Sequence, residues 1–105
     1  GARLGLTGFL AGVARQVAHA NVTINNLLPG SFDTARGTSV DTRRAAQTGV
    51  SLEEARAQRI AAVPAKRLGT PAEFGVACAF LCSAQAGFIT GQNLLIDGGA
   101  FPGVL

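Results

Sequence analysis

The chain has 105 residues, a net charge of +3 and 48% apolar against only 14% charged residues. That length allows one small domain at most, and charged residues fall below the ~25% usual in soluble domains. The deficit points to surfaces covered by missing chain or a partner subunit, and no apolar run reaches the ~18 residues of a membrane span.

The opening Gly1-Ala2-Arg3-Leu4 has no initiator Met, no cap signal and no signal-peptide pattern, and is read as a cut. Residues 3–18 are expected to form a helix, with Leu6, Phe9, Leu10, Val13 and Val17 on one face. Gly5, Gly8 and Gly12 weaken it by about 1 kcal/mol each against Ala. They leave either loose packing or room for a close neighbour, and Asn21 is a stop. Residues 22–28 predict a strand ended by Pro29-Gly30, and its apolar run fits a parallel strand covered on both faces. Residues 31–49 show no period and read as a polar loop.

Ser51-Leu52-Glu53-Glu54 is a capping box that starts a helix to about Ala62, before Pro64. Thr70-Pro71-Ala72-Glu73 is a second box with Pro at the first helical position. Val76, Ala77, Phe80 and Leu81 give that helix an apolar face through Cys82. Residues 92–97 predict a last strand closed by Gly98-Gly99. Strand, helices, strand is a parallel crossover, which needs further strands beside residues 22–28 for a covered sheet.

Arg36, Arg43, Arg44, Arg56 and Arg59 fall in one stretch with only Phe32 near them. A solvated polar segment explains them better than a nucleic-acid surface, which would interleave aromatics. Cys78 and Cys82 share a helix face, but His19 is remote and no second pair exists, so buried thiols in a reducing compartment are expected and no metal site.

Four motifs in order resemble the C-terminal third to half of a short-chain dehydrogenase/reductase. Residues 21–30, Asn-Val-Thr-Ile-Asn-Asn-Leu-Leu-Pro-Gly, look like the family's sixth strand, and Phe32-Asp33-Thr34 continues its P-G-x-x-x-T pattern. Arg67-Leu68-Gly69-Thr70-Pro71-Ala72-Glu73 looks like R-x-G-x-P-x-E. Ile89-Thr90-Gly91-Gln92 with Ile96-Asp97-Gly98-Gly99 looks like the family's I-T-G-Q-x-x-x-x-D-G-G ending. The resemblance is nearest to 3-oxoacyl-carrier-protein reductases.

It implies an α/β fold: residues 1–105 would be the C-terminal portion of one NAD(P)-binding, Rossmann-type doubly wound parallel sheet, with two strands and about three helices. It implies an oxidoreductase interconverting a ketone and an alcohol with NAD or NADP, cytoplasmic, without membrane or nucleic-acid partners. Pro29 and Gly30 would end the strand where ligands bind in open parallel sheets, with Gly30 letting backbone approach the cofactor ring. The Phe32 main-chain amide and carbonyl would meet the nicotinamide carboxamide, and the Thr34 hydroxyl its carboxamide or phosphate. Residues 35–66 would be the substrate-binding lid. Asp97 would cap exposed N–H groups, with glycines at positive φ after it. A homodimer or homotetramer would form through the last helix and strand, with Phe74, Phe80, Leu94, Leu95 and Phe101 serving that surface or the core.

The pyrophosphate turn, the ribose-reading residue and the catalytic Ser and Tyr fall outside these residues; the chain has no Tyr. Aligning Gly8-Phe9 with the family's Gly-Phe places Arg3 at the catalytic Lys, which bonds the nicotinamide ribose and lowers the Tyr pKa. Arg keeps the charge on a wider, planar head. Two readings remain: an oxidoreductase whose isolated C-terminal portion is inactive, and a non-catalytic relative that binds a nucleotide or a protein partner.

Overall fold

A computed structural model describes the backbone of residues 2–103 and the side chains of residues 5–103. Four helices, α1 (Ala2–Val17), α2 (Ala35–Thr48), α3 (Leu52–Ala61) and α4 (Pro71–Leu81), accompany two strands, β1 (Asn26–Pro29) and β2 (Asn93–Ile96). The strands pair in parallel as a two-stranded sheet. The α/β class and the crossover therefore hold. The chain forms two compact units, Gly1–Leu28 with Gly75–Leu95, and Pro29–Phe74 with Ile96–Leu105.

In the first unit α1 passes through a short 3-10 turn, Ala18–Ala20, and stops at Asn21, whose φ of 62° reverses the chain. Asn tolerates that left-handed conformation better than most residues. Strand β1 starts at Asn26, four residues later than the sequence predicts. Residues 22–25 are tied to the segment before β2 largely by side chains. The Ile24 N–H donates to Thr90 Oγ1 at 3.1 Å, and Asn25 Nδ2 donates to the Ile89 carbonyl at 3.0 Å. Asn25 Oδ1 accepts the Gln92 N–H at 3.1 Å. Thr90 and Asn25 of the two motifs thus set the register together with the main-chain bonds of the Gly91 N–H to the Ile24 carbonyl, at 2.7 Å, and of the Asn26 N–H to the Gln92 carbonyl, at 2.9 Å.

Helix α4 starts with the full reciprocal box. The Glu73 N–H donates to Thr70 Oγ1 at 3.2 Å, and the Thr70 N–H donates to Glu73 Oε1 at 2.9 Å. Beyond Glu73 it carries no charge, yet none of its residues is buried. Val76 is 71% and Phe80 49% exposed. Cys78 and Cys82 are exposed free thiols, which corrects the expectation that they are buried. A helix apolar all round gives no periodic signal for which face is covered.

The second unit holds the main departure from the sequence reading. Residues 35–48, expected within a polar loop, form α2. Its end signals are present in the sequence: Thr34 Oγ1 accepts the Gly37 N–H at 3.2 Å, and Gly49 takes φ 74° past the last turn. Periodicity misses it because the one buried residue of α2 is an acid, Asp41, 1% exposed. Its partner is Arg59 of α3, whose Nε and Nη2 donate to the two carboxylate oxygens at 2.8 and 2.9 Å. The α2–α3 hairpin thus packs through a buried ion pair where an apolar stripe was the expected device. Arg59 is not a solvated arginine. Helix α3 is capped as predicted by Ser51, whose Oγ accepts the Glu54 N–H at 3.0 Å; the return bond from Glu54 is absent among the described residues. Ala55, Val63 and Leu68 form the small apolar core of this unit.

Candidate functional site

The site belongs to the second unit, at the carboxyl end of β1. Pro29 is the last strand residue and is exposed. Gly30 follows, its N–H donating to the Ile96 carbonyl at 2.9 Å. A Cβ on Gly30 would lie 2.7 Å from both Cα and Cβ of Asp97. Within this chain, glycine at position 30 is required by the backbone of β2's end, whereas the sequence reading assigns that need to a cofactor ring.

Asp97 holds its own turn. Its carboxylate accepts the Gly99 and Phe101 N–H groups, each at 3.0 Å, and Gly98 and Gly99 sit at φ 63° and 91° as expected. The Ala65 N–H donates to the Gly98 carbonyl at 3.1 Å, so this turn also fixes the segment after α3.

Phe32 is clamped from several sides. An isolated parallel bridge joins it to Gly69, with the Gly69 N–H on the Ser31 carbonyl at 3.0 Å and the Asp33 N–H on the Gly69 carbonyl at 2.8 Å. Its ring covers Gly69, where a Cβ would meet ring atoms at 2.6–3.0 Å. The ring also stands edge-on to Phe74, centroids 5.7 Å apart, an arrangement worth about 0.5–1.5 kcal/mol beyond area burial. Gly69 of the R-x-G motif is therefore the seat of the Phe32 ring, a role that the sequence alone does not assign.

In an extended segment, groups one residue apart point to opposite edges. Ser31 C=O and Asp33 N–H face Gly69, so the Phe32 peptide groups turn the other way. The Phe32 N–H has no partner among the described residues. Its carbonyl accepts the Thr34 N–H at 3.0 Å and a longer bond from Arg59 Nη1 at 3.4 Å. The Phe32 N–H is therefore the group left to meet the oxygen of a primary carboxamide, since both lone pairs of the Phe32 carbonyl are engaged by Thr34 and Arg59. Thr34 caps α2, but its hydroxyl proton remains available to donate. Pro29, Gly30, Phe32 and Thr34 are thus brought together on one short loop. Arg3 lies outside the described side chains.

Beside this loop Arg67 grips Glu73 through two hydrogen bonds of 2.7 and 2.8 Å. The Arg67 hydrogen bond, followed by that of the Thr70 N–H, lowers the Glu73 pKa to about 2 from its ordinary 4.5. Arg67 and Glu73 line a cavity of about 80 Å³ with Phe32, Val63 and Asp97. That is far below the ~300–1,000 Å³ of a ligand pocket, so the cavity is a packing gap at the ring of Phe32. Among the described residues no cluster of His, Cys, Asp and Glu could hold a metal ion, and no helix is long and apolar enough to cross a membrane.

A family model described as enoyl-(acyl carrier protein) reductase matches residues 1–100. The chain belongs to the short-chain dehydrogenase/reductase family. Within it, the chain is 39% identical over 100 residues to the 3-oxoacyl-[acyl-carrier-protein] reductase of Vibrio cholerae, covering 95% of this chain and 36% of that protein. It is 36% identical over 97 residues to the reductase MabA of Mycobacterium tuberculosis, covering 92% and 35%. Among solved structures it resembles YwfH, an NADPH-dependent reductase involved in bacilysin biosynthesis, with a TM-score of 0.88 and 30% identity over 96% of this chain and 38% of that one. It also resembles an actinorhodin polyketide ketoreductase with NADPH, TM-score 0.83 and 31% identity, covering 91% and 37%. The chain therefore spans little more than a third of the length of these relatives. The matched family model is described as an enoyl reductase, while these curated relatives are named 3-oxoacyl reductases.

Proposed function

We propose that the full-length protein carrying this chain is an NAD(P)(H)-dependent oxidoreductase that interconverts a ketone and an alcohol, in the manner of the 3-oxoacyl reductases it resembles. The observation that carries this reading is the Phe32 main chain: an N–H with no partner among the described residues, beyond the carboxyl end of a parallel strand, with the ring locked between Gly69 and Phe74. Such an amide fits a nicotinamide carboxamide, and Pro29, Gly30 and Thr34 complete the contact loop. When bound, the nicotinamide would supply the hydride; the residues of this loop bind and orient it. The α2–α3 hairpin over residues 35–66 serves as the substrate lid. The exposed Val76, Phe80 and Leu94 on the last helix and strand supply an apolar face for a homodimer or homotetramer. The free thiols suit a cytoplasmic, reducing setting.

A second reading rests on Arg3. Arg in place of the family Lys leaves the cation but changes its reach and shape, which favours a relative that binds a nucleotide or partner without catalysis. The residue four before Arg3 in the full-length protein separates the two: a Tyr there supports proton transfer, a residue without an ionisable hydroxyl argues against it.

The test is a fluorescence titration with NADPH and NADH of the full-length protein and of the 105-residue chain. Saturable binding by the full-length protein, with ketone-dependent oxidation, is the expected result. The isolated chain, without the family's pyrophosphate turn, is expected to show neither. A full-length protein that binds neither cofactor ends this reading.

A further inference from the structure

Arg59 contributes three separate bonds, and only two of them satisfy Asp41. Asp41 is 1% exposed, and its carboxylate uses both oxygens on Arg59. A buried carboxylate left alone costs several kcal/mol, so Asp41 needs this guanidinium. Bidentate pairing also fixes the plane of the guanidinium. Fixed in that plane, the remaining nitrogen, Nη1, reaches the Phe32 carbonyl at 3.4 Å.

Room for the contact is made by Gly37 in the first turn of α2. A Cβ there would stand 2.8 Å from the Phe32 carbonyl oxygen and 2.9 Å from Arg59 Nη2. Helix α2 therefore supplies both the acid that aims Arg59 and the gap that admits it to the Phe32 peptide. A buried ion pair usually adds little net stability over apolar residues of the same volume. What this pair does add is one defined geometry among α2, α3 and the Phe32 main chain.

We propose that Arg59, aimed by Asp41, is a positioning residue: through the Phe32 carbonyl it holds the Phe32 main chain in the conformation that presents its N–H to the nicotinamide carboxamide, and so ties that loop to the α2–α3 lid. The proposal rests on the NAD(P)(H) reading above and extends it to two residues outside the contact loop. Its consequence is selective. The nicotinamide half of the cofactor is read by the Phe32 peptide, whereas the adenosine half is held elsewhere, so losing Arg59 weakens only the first.

The decisive variant is Asp41→Leu with Arg59→Met in the full-length protein, which removes both charges and leaves no buried ion unpaired. Isothermal titration compares the reduced dinucleotide that the wild type prefers with ADP-ribose, or its 2′-phosphate, as a ligand lacking nicotinamide. The double variant is expected to bind the dinucleotide five- to tenfold more weakly and the ADP-ribose ligand unchanged, with KM for the cofactor raised more than kcat is lowered. Should the double variant fail to fold, Arg59→Lys gives the same decision, because Lys keeps a cation beside Asp41 but lacks the planar fork that spans from both carboxylate oxygens to the Phe32 carbonyl. Unchanged dinucleotide affinity, or an equal loss for both ligands, overturns the proposal while leaving the cofactor reading in place. A wild-type protein that binds neither ligand overturns the cofactor reading itself, and this inference with it.

Discussion

Replacing Gly30 by Ala probes the point where the contact loop leaves the sheet. The new Cβ would sit 2.7 Å from two carbons of Asp97, where carbon atoms prefer about 3.5–4.0 Å, so the chains must part by about 1 Å. Neither clashing atom is the far end of a flexible side chain. Forced overpacking of this kind costs about 1–3 kcal/mol. Stretching the Gly30–Ile96 hydrogen bond of 2.9 Å adds up to about 1 kcal/mol. The lower entropy of the unfolded Ala chain returns about 0.4–1 kcal/mol. A net loss of about 2 kcal/mol follows, and at about 1–3 kcal/mol per molar urea the unfolding midpoint should fall by roughly 1 M. Urea unfolding of the full-length protein at fixed concentration, followed by circular dichroism, reads this directly. Cofactor affinity should fall as well, since Gly30 is two residues from Phe32. A variant with the wild-type midpoint and affinity would refute the claim that Asp97 dictates glycine at position 30.

Three further predictions concern neighbouring residues. In Glu73→Gln the pH dependence of stability should flatten on the acid side: the carboxylate's pKa is lowered in the fold to about 2, so its contribution is full above the ordinary 4.5 and is lost as pH falls toward 2, and identical acid profiles for the two proteins would show that the Arg67 pair is not coupled to folding. Thr34→Ala should cost about 1 kcal/mol of stability through the lost cap and raise the cofactor dissociation constant several-fold, about 1 kcal/mol for one hydrogen bond; calorimetry showing a stability loss alone would leave Thr34 as a helix cap only. Arg3→Lys in the full-length protein should change turnover or cofactor affinity several-fold in steady-state kinetics, and identical constants would remove Arg3 from the catalytic Lys position.

Local rules settle much of this chain from its residues alone. Caps and stops depend on a few adjacent residues, so Asn21, Ser51, the Thr70–Glu73 box and the Asp97-Gly98-Gly99 turn are all legible as such. The order of four short motifs is likewise enough for the family, because each motif carries its own backbone requirement. Four matters are decided only by tertiary contact. Helix α2 shows its end signals but no period, because its buried residue is a charge matched by Arg59, eighteen positions away, and periodicity counts apolar residues. The cysteine environment is misread because α4 is apolar on every side, which leaves the choice of covered face to its neighbours. The seats of Gly30 and Gly69 depend on Asp97 and Phe32, distant in sequence, and a glycine names no partner by itself. The Phe32 amide points away from Gly69 because the Ser31 and Asp33 groups on either side are bonded to it, a fact of pairing across the fold that residues 29–34 do not contain.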